Sequence, residues 1–123
     1  MKLTLSAVLV GAVLLFGAAA QVNQTINVTG TWQMEYHDKN GQEVDTPMIS
    51  LQQSEGRLAG VFGNQHWKVQ GTLSGDQVEF SFSPPKHPEI TVRYKGTVDS
   101  ATSMHGTMAS EVQSGTFAAT RKW

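Results

Sequence analysis

ITVRYKGTV, at residues 90–98, alternates apolar and polar positions along its whole length. A period of two places Ile90, Val92, Tyr94 and Val98 on one face of an extended chain and the polar residues on the other. A helix repeats about every 3.6 residues, so this pattern does not fit one. The segment therefore predicts a β-strand with one buried face.

A Gly-Thr-apolar triplet, present in that strand as Gly96-Thr97-Val98, recurs along the chain. The other copies are Gly30-Thr31-Trp32, Gly71-Thr72-Leu73, Gly106-Thr107-Met108 and Gly115-Thr116-Phe117. Their uneven spacing argues against a tandem repeat. Glycine within a strand permits a sharp bend and the close approach of a neighbouring backbone, as a small closed barrel requires. The triplets therefore favour a curled sheet.

Seven further segments share the period of two, and turn residues separate them. They lie at residues 28–36, 49–53, 58–62, 67–73, 78–82, 104–108 and 117–121. With residues 90–98 they make eight short strands at a spacing of roughly ten residues, which suits antiparallel neighbours. The sequence predicts an all-β fold, a single eight-stranded antiparallel up-and-down β-barrel, with no helix in the mature chain.

The N-terminus has the pattern of a cleaved signal peptide at residues 1–20. Lys2 supplies a positive charge, an apolar run reaches Phe16, and Ala18-Ala19-Ala20 offers the small residues that signal peptidase needs. The run is too short to span a bilayer. We therefore expect one β-barrel domain at residues 21–123, periplasmic or secreted from a bacterium, with no integral membrane span in the mature chain.

Composition narrows the classes of function. The chain has no cysteine, and 9 Lys and Arg against 10 Asp and Glu give a formal net charge of −1. Without a basic stripe, nucleic acid is not an expected partner. The motifs of serine hydrolases, zinc proteases and phosphate-binding loops do not occur in the sequence. We therefore expect a protein that is not an enzyme, without catalytic residues, a metal or a cofactor.

Strand order divides the connections between two ends of the barrel. Tight links at residues 54–56, 74–76 and 99–102 fall at the end that holds Trp32. Longer links gather at the other end, an open mouth where loops would carry binding groups. The rim of this mouth collects His37, Asp38, Glu43, Asp45, Asn64, His66, Lys86 and His87. Metal binding by His37, His66 and His87 stays open, since their spacing matches no zinc motif.

Gly30-Thr31-Trp32 in the first strand and Arg121 near the end of the last resemble the calycins, which include lipocalins, avidins and small bacterial lipocalin-like barrels. In that superfamily the tryptophan of a Gly-x-Trp motif packs under an arginine of the final strand. The resemblance implies that Trp32 and Arg121 close one end of the barrel. The chain lacks the several tryptophans and the polar set that line the biotin site of avidins.

The lumen and the mouth remain as candidate sites. An eight-stranded barrel is just wide enough to be filled by side chains or to hold one small ligand, and the inward residues fit both readings. The ligand contacts expected near the mouth are Tyr36, Trp67, Phe82, Tyr94, Met34 and Met108. They predict an exported lipocalin-like barrel that binds a small apolar or amphipathic ligand in the lumen or at the mouth. The alternative is a filled barrel that acts as an envelope or interaction protein, or as an inhibitor presenting residues 84–88.

Overall fold

The computed structural model describes residues 26–122, so the predicted signal peptide at residues 1–20 lies outside the described residues. Within residues 26–122 the chain forms strands and turns and no helix. The strands are β1 (Gly30–Asp38), β2 (Glu43–Asp45), β3 (Met48–Ser54), β4 (Arg57–Phe62), β5 (Trp67–Ser74), β6 (Gln77–Phe82), β7 (Val92–Ser100), β8 (Ser103–Ala109) and β9 (Ser114–Arg121).

Antiparallel pairing closes these strands into a barrel. From β3 to β9 each strand pairs with the next one along the chain, and β1 pairs with both β3 and β9. The closing ladder between β9 and β1 runs from Gly115 opposite Asp38 to Arg121 opposite Trp32. The short strand β2 pairs with β1 outside the closed ring. The predicted eight-stranded antiparallel barrel is therefore confirmed, and it consists of β1 and β3 to β9.

Two details differ from the sequence-based expectation. β2 lies in a segment that the sequence predicts to be a loop. All three of its residues are exposed, so it has no alternation of apolar and polar residues from which a strand could be predicted. The strand predicted from Ile90 begins instead at Val92. The backbone N–H of Ile90 donates to the His87 carbonyl over 3.0 Å, and that of Thr91 donates to the Glu111 carboxylate over 2.9 Å. Loop groups therefore take the hydrogen bonds that a neighbouring strand would otherwise supply.

Inward side chains from all eight barrel strands pack the lumen. The core extends from Val28 and Trp32, which are fully buried, to Phe62 and Phe82 at the opposite end. Apart from tyrosine, no polar or charged residue among residues 26–122 is buried. Burial of these apolar surfaces is the main force that holds the disulfide-free barrel together.

Gly96 and Gly106 lie directly opposite each other in the ladder between β7 and β8. A Cβ atom on Gly106 would lie 2.1 Å from the Lys95 carbonyl oxygen and 2.4 Å from the Gly96 Cα. A Cβ atom on Gly96 would lie 2.2 Å from the His105 carbonyl oxygen. Only glycine fits at either position without a backbone shift.

Candidate functional site

Trp32 and Arg121 lie together at one end of the barrel. The Trp32 ring is fully buried, and its indole N–H donates to the Val28 carbonyl over 2.9 Å. The Arg121 Cζ atom lies 5.0 Å from the Trp32 ring centroid, within the range of a cation–π interaction. The Arg121 guanidinium also donates to the Asn27 carbonyl. The structure thus brings together the two residues on which the calycin resemblance rests.

Residues 26–29 cross this same end, and Gln53 fixes them there. The Gln53 side-chain oxygen accepts from the Val28 N–H over 2.9 Å. The Gln53 amide donates to the Ile26 and Glu55 carbonyls, each over 3.1 Å. One glutamine therefore ties the N-terminal segment to the turn after β3 and helps to hold that segment across this end of the barrel.

The opposite end carries the longer loops, as the sequence predicts, and an aromatic layer lies beneath them. Phe62 stacks on Phe82 with ring centroids 4.2 Å apart, and Trp67 lies 5.6 Å from Phe82. Tyr94 lies 6.4 Å from Phe82 and 6.1 Å from Phe62. Three of the six predicted ligand contacts, Trp67, Phe82 and Tyr94, thus belong to one cluster. Phe62, which the prediction omits, has the same inward parity that identifies the others.

Tyr94 continues this aromatic cluster towards the barrel centre. Its ring stacks on Phe80 at 5.0 Å and meets Phe117 edge-on at 5.2 Å. Such pairs contribute about 0.5–1.5 kcal/mol each beyond the burial of their area. The mouth half of the lumen is therefore a packed aromatic cluster.

The Tyr36 hydroxyl is buried and has no hydrogen-bond partner among residues 26–122. Tyr36 is 4% exposed, and its ring lies against Gly115, where an added Cβ would come within 2.8 Å of the Tyr36 Cε1. A buried polar group without a partner costs about 1–3 kcal/mol. The hydroxyl is thus a free hydrogen-bonding group within the mouth half of the lumen.

Burial and nearby acidic groups keep both tyrosines neutral. Burial raises the pKa of Tyr94 far above its usual value, and the Asp45 carboxylate and Tyr36 add to that effect. Burial also raises the pKa of Tyr36, with a further contribution from Asp38. Asp45 lies opposite Tyr36 in the ladder between β1 and β2. The mouth therefore presents neutral phenols next to carboxylates.

The two predicted methionine contacts lie at different depths. Met108 pairs with Tyr94 and with Gly115 in the ladders of β8, so it belongs to the mouth half. Met34 pairs with Ala119, two residues along β9 from Arg121, and is 1% exposed. Met34 therefore lies between the aromatic cluster and Trp32. Ligand binding by all six residues stays a prediction.

Concave surface also occurs on the outside of the barrel. Two grooves, of about 1280 Å³ and 970 Å³, follow the outer face of the strands, the first from β3 to β8 and the second from β3 to β7. Both contain one cross-strand row of small and polar residues: Gln52, Ala59, Gln70, Ser81 and Arg93. The packed lumen and these outer grooves favour the alternative interpretation, in which a filled barrel binds a partner on its outer surface.

One cluster of metal-ligating side chains lies on the outer face of β1 and β2. One ligand atom from each of Glu35, His37 and Glu43 lies within 4.8 Å of the others. Among residues 26–122, His66 and His87 do not join His37 in such a group. The fourth histidine, His105, contacts the Asp99 carboxylate over 2.7 Å. The three rim histidines named from the sequence thus do not converge.

Comparisons with known proteins identify the architecture. The sequence matches no protein-family model and no curated protein. A redesigned β-barrel superposes with a TM-score of 0.60 at 20% identity, covering 85% of this chain and 96% of the other. The redesigned β-barrel mFAP1 bound to DFHBI gives 0.56 at 18% identity, covering 85% and 98%. EF1p2_mFAP2b bound to DFHBI gives 0.54 at 17% identity, covering 85% and 97%.

These likenesses concern the fold, since identities of 17–20% carry no information on function by themselves. Within residues 26–122, the structure has no helix that is both long and apolar enough to cross a membrane. The chain is therefore an eight-stranded antiparallel barrel similar to designed barrels, two of which are bound to a small molecule.

Proposed function

We propose that the protein is an exported, non-enzymatic, lipocalin-like barrel that binds a small amphipathic molecule at its open mouth. The observation that carries this proposal is the buried Tyr36 hydroxyl without a partner. Natural cores rarely retain such a group, and an unpaired hydroxyl next to the aromatic layer of the mouth suits a ligand that supplies the missing partner. Two barrels of the same fold are bound to DFHBI, which supports the same class of function.

The aromatic layer gives the ligand its apolar surface. Trp67 is half-buried, and Phe62 and Phe82 are the most exposed rings of the core, at 8% and 6%. A ligand seated on or between these rings buries apolar area at about 25 cal/mol per Å². Its polar group reaches the Tyr36 hydroxyl beside Tyr94. Met108 adapts to the shape of the guest, because its side chain is unbranched and flexible.

Membership of the calycins and export belong to the same proposal. The packing of Arg121 on Trp32 at 5.0 Å supports the first. The pattern of residues 1–20 supports the second. Expression in a bacterial host followed by fractionation and N-terminal sequencing tests export. We expect mature protein that begins near Gln21 in the periplasm or the medium, and full-length protein in the cytoplasm would contradict it.

Fluorescence titration of the tagless protein tests binding at the mouth. The probes are palmitate, retinol, biotin and DFHBI, and a Trp123→Phe background leaves Trp67 at the mouth and Trp32 at the closed end. We expect one probe to change the fluorescence of Trp67 saturably. The change should vanish in Trp67→Phe, while native mass spectrometry still detects the complex. Tyr36→Phe should weaken binding about 10-fold, as the loss of one buried hydrogen bond implies. No saturable response, together with native mass spectra free of adducts after purification, would overturn the proposal.

A second candidate function follows from the packed lumen and the outer grooves. In this reading the barrel binds a protein partner along the row that contains Ala59, Gln70 and Arg93. Ala59→Trp fills the middle of both grooves and should abolish capture of that partner from an envelope extract. The same substitution leaves probe binding at the mouth intact, so the two functions are distinguishable.

A further inference from the structure

The outer face of the hairpin formed by β1 and β2 gathers two carboxylates and an imidazole. Glu35 and His37 are two residues apart on β1 and therefore point to the same side of the sheet. Glu43 of β2 lies directly opposite His37 in the ladder. One ligand atom from each of the three residues lies within 4.8 Å of the others. Paired strands, rather than separate loops, thus set the positions of the three side chains.

A β-bulge creates this arrangement. Tyr36 pairs with Asp45, so a regular ladder would place Val44 opposite His37. The register shifts by one residue at this point, and Glu43 takes the position instead. Val44 is left 54% exposed, an unusual position for a large apolar residue of this chain. Bulges re-aim side chains next to functional sites, and this one exchanges an apolar neighbour of His37 for a carboxylate.

The two carboxylates of the cluster, Glu35 and Glu43, have no lysine or arginine partner within salt-bridge distance in the part of the chain that the structure describes. Two carboxylates held close together repel each other unless a cation lies between them. Imidazole nitrogen and carboxylate oxygen are also the donor atoms that bind zinc in proteins.

We propose that Glu35, His37 and Glu43 form a site for a divalent transition-metal ion, for which Zn²⁺ is the test ion. Zinc binds imidazole nitrogen and carboxylate oxygen at about 2.0–2.2 Å, so ligand atoms around one ion lie about 3.3 Å apart. Rotation of the two glutamate side chains closes the remaining gap. Three protein ligands leave a fourth position for water, as in open zinc sites. The site lies outside the barrel and is independent of the mouth ligand.

Isothermal titration of the tagless full chain with Zn²⁺ alone tests the site. We expect saturable binding of about one equivalent per chain. His37→Ala and Glu43→Gln should each weaken it at least about 10-fold, because each removes a direct ligand. His105→Ala is the matched control, since His105 also contacts a carboxylate but lacks a third ligand. It should leave the affinity unchanged.

Circular dichroism and thermal unfolding of each variant report whether it folds. If His37→Ala does not fold, Glu43→Gln and Glu35→Gln carry the test, since both positions are exposed. Cu²⁺ electron spin resonance gives a second readout, because a nitrogen coupling lost only in His37→Ala identifies the ligand. Absence of saturable binding would overturn the proposal. So would equal affinity in His37→Ala and the wild-type chain, or a loss in His105→Ala as large as that in His37→Ala.

Discussion

Replacing Tyr36 with phenylalanine should stabilise the ligand-free barrel, although it deletes a polar group from the core. The hydroxyl is buried and has no partner, which costs the folded state about 1–3 kcal/mol. Removing one oxygen also removes its packing contacts, at about 0.1–0.2 kcal/mol for each atom pair. The ring remains in place against Gly115. The balance is a gain of about 1 kcal/mol in the free energy of unfolding.

Urea unfolding of the tagless protein at neutral pH measures this gain, with tryptophan fluorescence as the signal. In thermal unfolding, a gain of 1 kcal/mol corresponds to a rise in Tm of about 4–8 °C for a domain of this size. Tyr94→Phe is the matched control, because the Tyr94 ring is as buried as that of Tyr36, but its hydroxyl is not a buried group without a hydrogen-bond partner. It should change the unfolding free energy by less than about 0.5 kcal/mol. A loss of stability in Tyr36→Phe would refute the reasoning, since it would mean that the hydroxyl is hydrogen-bonded in the free protein.

Three further predictions concern pH, backbone packing and the closed end. Burial raises the pKa of Tyr36 and Tyr94 above 10.0, so both stay neutral in the folded state where unfolded tyrosine ionises. The contribution of these tyrosines to the free energy of unfolding is therefore constant below about pH 10. Above that pH the free energy of unfolding falls by up to about 1.4 kcal/mol per pH unit for each tyrosine. The urea midpoint of Tyr94→Phe should fall less steeply with rising pH than that of the wild-type chain. Gly106→Ala should lower the free energy of unfolding by about 1–3 kcal/mol or more, because the added Cβ would lie 2.1 Å from the Lys95 carbonyl oxygen. Gly56→Ala should cost less in the same assay, because its added Cβ would lie 3.2 Å from the nearest atom. Arg121→Met should lower the free energy of unfolding by about 1–2 kcal/mol, because the contact with Trp32 is lost. Lys122→Met, at the exposed neighbouring position, should change it by less than about 0.5 kcal/mol. Equal effects of the two substitutions would contradict a role for Arg121 in closing the barrel.

The barrel itself could be predicted because its signals are local. The period of two in β7 identifies a strand without knowledge of its neighbours. Once eight such strands are in order, antiparallel pairing sets which turns share an end and which residues meet. The proximity of Trp32 and Arg121 follows from that order, since the first and last strands pair.

β2 and the outer grooves could not be predicted in this way. All three residues of β2 are exposed, so backbone pairing with β1 forms the strand and no apolar period marks it. The grooves depend on how the sheet curves and on short side chains such as Ala59, which lies between Gln52 and Gln70 in the cross-strand row. To predict either feature, one must know the pairing register of strands that are distant in the sequence. A shift of one residue in that register changes every cross-strand pair.

The alternation of side chains along β1 lets the two proposed sites be tested separately. Tyr36 and His37 are consecutive, so their side chains leave opposite faces of β1, one into the lumen and one outwards. Tyr36→Phe should therefore alter probe binding at the mouth and leave the Zn²⁺ affinity unchanged. His37→Ala should do the reverse, because no atom of the lumen is removed. Equal loss of both kinds of binding in either variant would contradict this separation, since it would mean that the substitution disrupts the whole hairpin.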